Sequence, residues 1–376
     1  MVTMRHVHPS ALLGALLLLA SCTPDAAPPP LDIEKVFPGE TWATATPESQ
    51  GVDAAVLQAA LDTLAFHSGA DGLDEVAVVR NGYLIHAGDS VHKAHNVYSV
   101  AKSITSTVLG LLIADGKTSL DQPMAEVDPM LAERYPDVTL RHFTTMTSGY
   151  NADGPNRWNE ASADWSTTPF DVTDPLFAPG TAYAYWDEAM IMKGRLLTRI
   201  AGESLYDYLD RRVMQPIGIT DWSWWTEYEV DGIPMVYGAT GVNIDALELA
   251  RFGLLFLNDG VWDGTRLLPE GWVAEATQNH VPATIAIGDT DRSATDGRGI
   301  YGYNWWTNGV KPDGTRNMPD TPPGTYYASG LHNNMLFVVP EWNLVLVRRG
   351  EDGNPPEGKA NVYNRVLRTL APGITV

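Results

Sequence analysis

Apolar residues along this chain recur with two different periods, and the period changes with position. Glu75-Val76-Ala77-Val78-Val79 and Tyr83-Leu84-Ile85-His86-Ala87 flank Arg80-Asn81-Gly82, which predicts two strands around a tight Asn-Gly turn. From Ser99 to Asp115 the spacing becomes helical: Val100, Ile104, Val108, Leu111 and Leu112 share a face, and Gly116 ends the run. Glu188 to Ile200 predicts a helix ending near Gly202, and Leu205 to Val213 another, stopped before Pro216. Asp245-Ala246-Leu247-Glu248 opens a third with a capping-box-like pattern, ended by Asn258-Asp259-Gly260. Pro282 to Gly299 reads as a loop. Strand character returns in Tyr301 to Trp306, Met335 to Val339 and Leu344 to Arg348, with Pro340-Glu341-Trp342-Asn343 as the last turn, and Ala360 to Leu370 closes as a helix. Strands at both ends with helices between them predict an α+β fold: a sheet part (39–117 and 289–376) carrying a mostly helical insert (118–288).

The first residues have a different character. Arg5, His6 and His8 make a weakly basic start, and the apolar run Ala11 to Ala20 is too short for a membrane-spanning helix but suits the core of a secretory signal. Leu19-Ala20-Ser21-Cys22 resembles a bacterial lipobox, and Cys22 is the sole cysteine. Residues 1–22 are therefore expected to be a lipoprotein signal with Cys22 as the lipidated residue, and 23–38 a Pro-rich tether holding the following domain off the membrane. The alternative is an ordinary signal peptide that happens to contain a cysteine. The expected location is outside the cytoplasm, on a membrane facing the periplasm or cell exterior. With one cysteine, no intramolecular disulfide can form. The net charge of −21 offers no basic stripe and argues against nucleic acid as a partner.

Ser99-Val100-Ala101-Lys102 is the leading candidate for chemistry. Residues i and i+3 at the start of a helix share a face, so the Lys amine can reach the Ser hydroxyl, and the helix N-terminus favours negative charge developing there. Burial lowers a lysine's preference for its charged form and suits it to act as a base. Ser90-Val91-His92-Lys93 matches the same short pattern without a following apolar face. The motif is therefore weak by itself, and an N-cap serine is the competing role for Ser99.

Longer segments resolve the choice. Tyr98-Ser99-Val100-Ala101-Lys102-Ser103-Ile104-Thr105-Ser106 resembles the nucleophile helix of the class C β-lactamase and penicillin-binding-protein-like superfamily. In family order there follow Asp137-Val138-Thr139-Leu140-Arg141-His142-Phe143-Thr144-Thr145-Met146-Thr147-Ser148-Gly149, then Pro179-Gly180-Thr181-Ala182-Tyr183-Ala184-Tyr185, Ala250-Arg251-Phe252-Gly253 and Tyr301-Gly302-Tyr303-Asn304-Trp305-Trp306. The resemblance spans roughly 45–370 and implies an antiparallel sheet sandwiched by helices, a helical domain beside it, and an active site in the cleft between. The family's Tyr-x-Asn falls on Tyr185-Trp186-Asp187. Tyr185 inherits a proton-relay role, while Asp187 departs from the pattern; it is expected to cap the next helix and point away from the site, or else to meet a cationic substrate group. The family's Lys-Thr-Gly aligns with Ala328-Ser329-Gly330. By that alignment Ser329 donates to substrate, Gly330 permits its close approach, and the Leu331 amide joins that of Ser99 in an oxyanion hole. Ala328 replaces the cation that holds a substrate carboxylate in β-lactamases and D-Ala-D-Ala enzymes. That departure favours the esterase and 6-aminohexanoate-oligomer-hydrolase-like branch. His332 stands where it can substitute for the cation or simply face solvent.

The resemblance implies hydrolysis of a small ester, amide or peptide-like substrate through a serine acyl-enzyme, without metal or cofactor. A β-lactamase or D-alanyl-D-alanine carboxypeptidase, and an inactive binding lipoprotein, are the alternatives. Gly297-Arg298-Gly299-Ile300-Tyr301-Gly302 spells a dinucleotide fingerprint but opens no helix. His92 and His95 lack a third ligand for zinc, and there is no Gly-x-Ser-x-Gly elbow. Trp158, Trp165 and Trp186 are candidates for lining the cleft, and Trp222, Trp224 and Trp225 for packing the core. Cys22→Ser is expected to move the protein from the membrane to the soluble fraction, measured by fractionation; unchanged membrane retention would refute the lipid anchor.

Overall fold

The computed structural model describes Met1 and residues 35–154, 166–288, 295–353 and 355–375. The lipobox at Cys22, most of the tether, and Trp158 and Trp165 lie outside the described residues. Six strands form the main sheet: β1 (Val76–Arg80), β2 (Tyr83–Ala87), β3 (Trp306–Thr307), β4 (Tyr326–Gly330), β5 (Asn334–Val339) and β6 (Leu344–Arg348). Their order is β3-β4-β5-β6-β1-β2, antiparallel throughout. The helices that position the site are α1 (Ala54–Phe66), α2 (Ala101–Ala114), α3 (Asp187–Ala201), α4 (Ala246–Leu257) and α5 (Lys359–Leu370).

Side chains alternate across the pleat and divide the apolar core in two. Ala77, Val79, Leu336, Val338, Val345 and Val347 face one core, shared with α2 and α4. Val76, Val78, Met335, Phe337, Leu344 and Leu346 face the other, shared with α1 and α5. Because both faces are covered, the central strands read as continuous apolar runs rather than alternating ones. The helix opened by Asp245, expected within the helical insert, instead lies against β5 and β6. At Gly253 a Cβ would stand 2.6 Å from Leu336 Cδ1, so the missing side chain lets helix and sheet approach. The insert also carries short strands, among them Thr226–Val230 paired with Ile233–Val236.

Helix α2 was expected to be amphipathic, but Ala101 to Leu112 are all buried. It runs between the sheet and the helical part, and a helix covered on all sides must settle its polar groups internally. Thr105 Oγ1 donates to the Ala101 and Gly238 carbonyls, and Ser103 Oγ to that of Asn304. Tyr301 to Trp306 is not one strand. Asn304 adopts φ 59°, Tyr301 bridges Trp306 across the turn, and only Trp306–Thr307 joins the sheet.

Lys193 on α3 is fully buried, and its amine donates to Asn304 Oδ1 at 2.6 Å. Desolvation pushes its pKa well below the usual lysine value. The unfolded chain then binds a proton that the folded chain does not, so this residue makes stability rise as pH climbs from neutrality toward about 10. Lys193→Met is expected to flatten that rise while costing about 1–3 kcal/mol by leaving Asn304 Oδ1 unpaired. Denaturation midpoints between about pH 7 and 9.5 check it, and an unchanged slope would refute the assignment.

Candidate active site

The chain enters α2 through a single 3₁₀ turn, Tyr98–Val100, with Ser99 at its centre. Tyr98 takes φ 51°, and its amide donates to Asn96 Oδ1 at 2.9 Å. This bend presents Ser99 at the helix start. The N-cap of α2 is Val100, so Ser99 is not the capping residue. Its Oγ instead accepts a hydrogen bond from Lys102 Nζ at 2.7 Å. Lys102 is 1% exposed. Its amine also donates to the Ala239 carbonyl at 3.1 Å and forms an ion pair with Asp187. The competing Ser90–Lys93 segment is a surface turn, in which Lys93 pairs with Glu75 and Glu351.

Asp187 corrects the expectation set for it. It is the first residue of α3, whose N-cap is Trp186, and its carboxylate meets Lys102 rather than pointing away. Tyr185 stands two residues earlier with its ring face toward Lys102, 5.0 Å from Nζ to the ring centroid. Trp306 stacks on that ring at 5.7 Å and Tyr301 meets it edge-on at 6.1 Å. The Tyr301 hydroxyl accepts from Asn304 Nδ2, and burial pushes its pKa above the usual phenol range. Trp186 also corrects an expectation: it is 2% exposed and packs in the core, so it is not a wall of the cleft. Trp222 and Trp224 are buried as expected, whereas Trp225 is 43% exposed.

The opposite wall is the end of β4. Ala328 is buried against the α2 core, Ser329 is half-buried, and Gly330 pairs with Asn334. A Cβ on Gly330 would lie 2.2 Å from the Val97 carbonyl oxygen and 3.2 Å from the Ser99 amide nitrogen. Glycine is required there for the strand to close on the Tyr98–Val100 turn. Among the described residues neither the Ser99 nor the Leu331 amide donates to a loop or side-chain acceptor. The Leu331 side chain is exposed. His332 is half-buried, has φ 56°, and packs edge-on against Tyr98 at 5.1 Å. His92 and His95 pair separately with Asp245 and Glu75, and no group of three or more metal-ligating side chains occurs among the described residues.

Two groups beside the site escaped sequence reasoning: the Ala239 carbonyl, which accepts from Lys102, and Lys359, whose amine donates to the Gly330 carbonyl. The Ala239 carbonyl carries no residue-type signal, since any backbone could supply it. Lys359, in the first turn of α5, was legible as an anomaly: a cation at a helix N-terminus opposes the helix dipole.

The structure thus brings together a serine at a buried helix start, a lysine one turn on and the end of β4. The chain belongs to the β-lactamase family, whose pattern matches residues 59–367. It is 26% identical over 283 residues to the 6-aminohexanoate-dimer hydrolase of Paenarthrobacter ureafaciens, covering 70% of this chain and 67% of that protein. It is 30% identical over 143 residues to esterase EstB of Burkholderia gladioli, covering 33% of this chain and 36% of that one. Its fold is similar to that of a penicillin-binding protein homologue from Caulobacter crescentus, with TM-score 0.65 at 14% identity over 89% of this chain and 99% of the other.

Ser99→Ala is expected to abolish labelling by a fluorophosphonate probe, while Ser90→Ala leaves it unchanged. Equal loss in both variants would rule out Ser99 as the nucleophile.

Proposed function

We propose that this protein hydrolyses a small ester or amide through an acyl-enzyme on Ser99, and that a lipid on Cys22 tethers it to a membrane outside the cytoplasm. The observation that carries the catalytic reading is the buried Lys102 amine 2.7 Å from Ser99 Oγ. An ammonium has three protons, and three acceptors surround this one: Ser99 Oγ, the Ala239 carbonyl and Asp187. In the first step one Lys102 proton passes to the Asp187 carboxylate, and the freed lone pair accepts the Ser99 hydroxyl proton. Oγ bonds the substrate carbonyl carbon as that proton leaves. The oxygen that gains charge sits between the Ser99 and Leu331 amides. Lys102, with Tyr185, returns a proton to the leaving alkoxide or amine as its bond to carbon breaks. Water, deprotonated by the Lys102 amine with Tyr185, then attacks the acyl carbon; the bond from that carbon to Oγ breaks, Lys102 returns the proton to Ser99 Oγ, the acid product leaves, and Asp187 gives its proton back to the Lys102 amine.

The substrate class follows from Ala328. A buried methyl stands where carboxylate-binding relatives carry a cation, and the Lys102 charge is already met by Asp187. This favours acyl groups without a carboxylate over penicillin-type carboxylates, in keeping with the esterase and 6-aminohexanoate-dimer hydrolase among its relatives. Hydrolysis of a short-chain p-nitrophenyl ester and of a chromogenic cephalosporin, side by side, tests the reading. Ester turnover without cephalosporin turnover is expected, reduced at least about 10³-fold in Ser99→Ala. Preferred cephalosporin turnover would overturn the substrate class, and turnover unaffected by Ser99→Ala would overturn the mechanism.

A further inference from the structure

Three successive carbonyls of the turn after β4 are held from behind. Lys359 Nζ donates to the Gly330 carbonyl, Asn334 Nδ2 to that of Leu331 at 2.8 Å, and Arg348 Nη1 to that of His332 at 2.6 Å. With its carbonyls turned inward, the segment is a strained one: His332 and Asn333 take φ 56° and 61°, in the left-handed region. Asn334 and Arg348 belong to the sheet. Lys359 does not. It reaches in from the first turn of α5, where the helix dipole opposes a cation.

Its position is costly in a second way. Desolvation, with Arg348 nearby, pushes the Lys359 pKa down to about 8. At neutral pH the amine is still charged, but it is held where charge is disfavoured. Helix stability does not account for such a residue. The group it reaches does: the Gly330 carbonyl and the Leu331 N–H are the two ends of one peptide unit. Resonance couples those ends, and a cation at the oxygen draws density through the amide and makes the N–H a stronger donor.

We propose that Lys359 is a positioning residue for hydrolysis, fixing and polarising the Gly330–Leu331 peptide so that the Leu331 amide meets the developing oxyanion. The proposal rests on the reading of the Ser99 and Leu331 amides as the oxyanion hole. Lys359 touches no substrate atom. Its effect is electrostatic and grows as negative charge accumulates on the substrate oxygen, so it belongs to the transition state rather than to the bound substrate.

The test compares the full-length wild type, Lys359→Met, Lys359→Gln, Lys359→Arg and Ser99→Ala at pH 7 on the p-nitrophenyl ester, with thermal melts on each. Lys359→Met is expected to lower kcat about 10–100-fold, less than removal of an oxyanion donor itself, with KM changed less than about twofold. Lys359→Arg, which keeps the charge, is expected to recover most of the loss. A phenylboronic acid, which places an anionic oxygen at the site, should lose affinity for Lys359→Met by about the same factor as kcat. Lys359→Gln keeps a donor without the charge. It should also lower kcat, and it serves the test if Lys359→Met does not fold. Ser99-dependent turnover with kcat unchanged in the Met or Gln variant overturns the inference and leaves the acyl-enzyme reading intact. So does a loss that follows thermal stability and is not rescued by Arg. Absence of Ser99-dependent turnover in the wild type overturns both.

Discussion

The buried amine of Lys102 is the constraint around which the site is built. Removing an ammonium from water costs several kcal/mol unless its protons are answered. Here the answers come from three separated parts of the chain: the turn ahead of α2, the start of α3, and the segment following the Ile233–Val236 strand. Satisfying one side chain therefore ties the helical part to α2. Tyr185 is laid over the amine and backed by Trp306 and Tyr301.

The chain is strongly acidic, yet several of its cations are buried. Arg251 donates to the carbonyls of Pro38, Gly39 and Ile217, Arg348 to those of Ser68 and His332, and Arg349 to that of His95. These side chains brace loops and the ends of short elements by satisfying backbone carbonyls there. The acidic residues are left to dominate the surface. Buried arginines thus fix loops from within.

Legibility in the sequence followed the range of the interactions involved. Helix α3 and strands β1, β2, β5 and β6 were readable because period and turn chemistry are local. The nucleophile motif was ambiguous locally, since Ser90–Lys93 matches it as well as Ser99–Lys102; ordered segments far downstream were needed to choose. Helix α1 was overlooked although Leu57, Ala60, Leu61 and Leu64 recur at helical spacing behind the Asp53 cap. Strand β4 carries Ser329 and Gly330, weak strand formers whose places are set by the site rather than by propensity. Asp187 was misjudged because acidic residues are common in the first turn of a helix; nothing nearby shows that the amine it meets lies a long way back in the chain. Trp186 was assigned to the cleft from its neighbours in sequence, whereas the start of α3 turns it into the core.

The pairing of β1 with β6 sets Val76 opposite Arg348, and α1 packs on α5. One edge of the first strand and the packing face of the first helix therefore find their partners in the C-terminal part of the domain, while the other edge of β1 pairs with the nearby β2. Until the C-terminal segment emerges, β1 keeps an open hydrogen-bonding edge and one core stays uncovered. Such contacts join residues separated by nearly the whole domain, which makes folding slow. Removing α5 would strip the cover from α1, so damage at one end of the domain would be felt at the other.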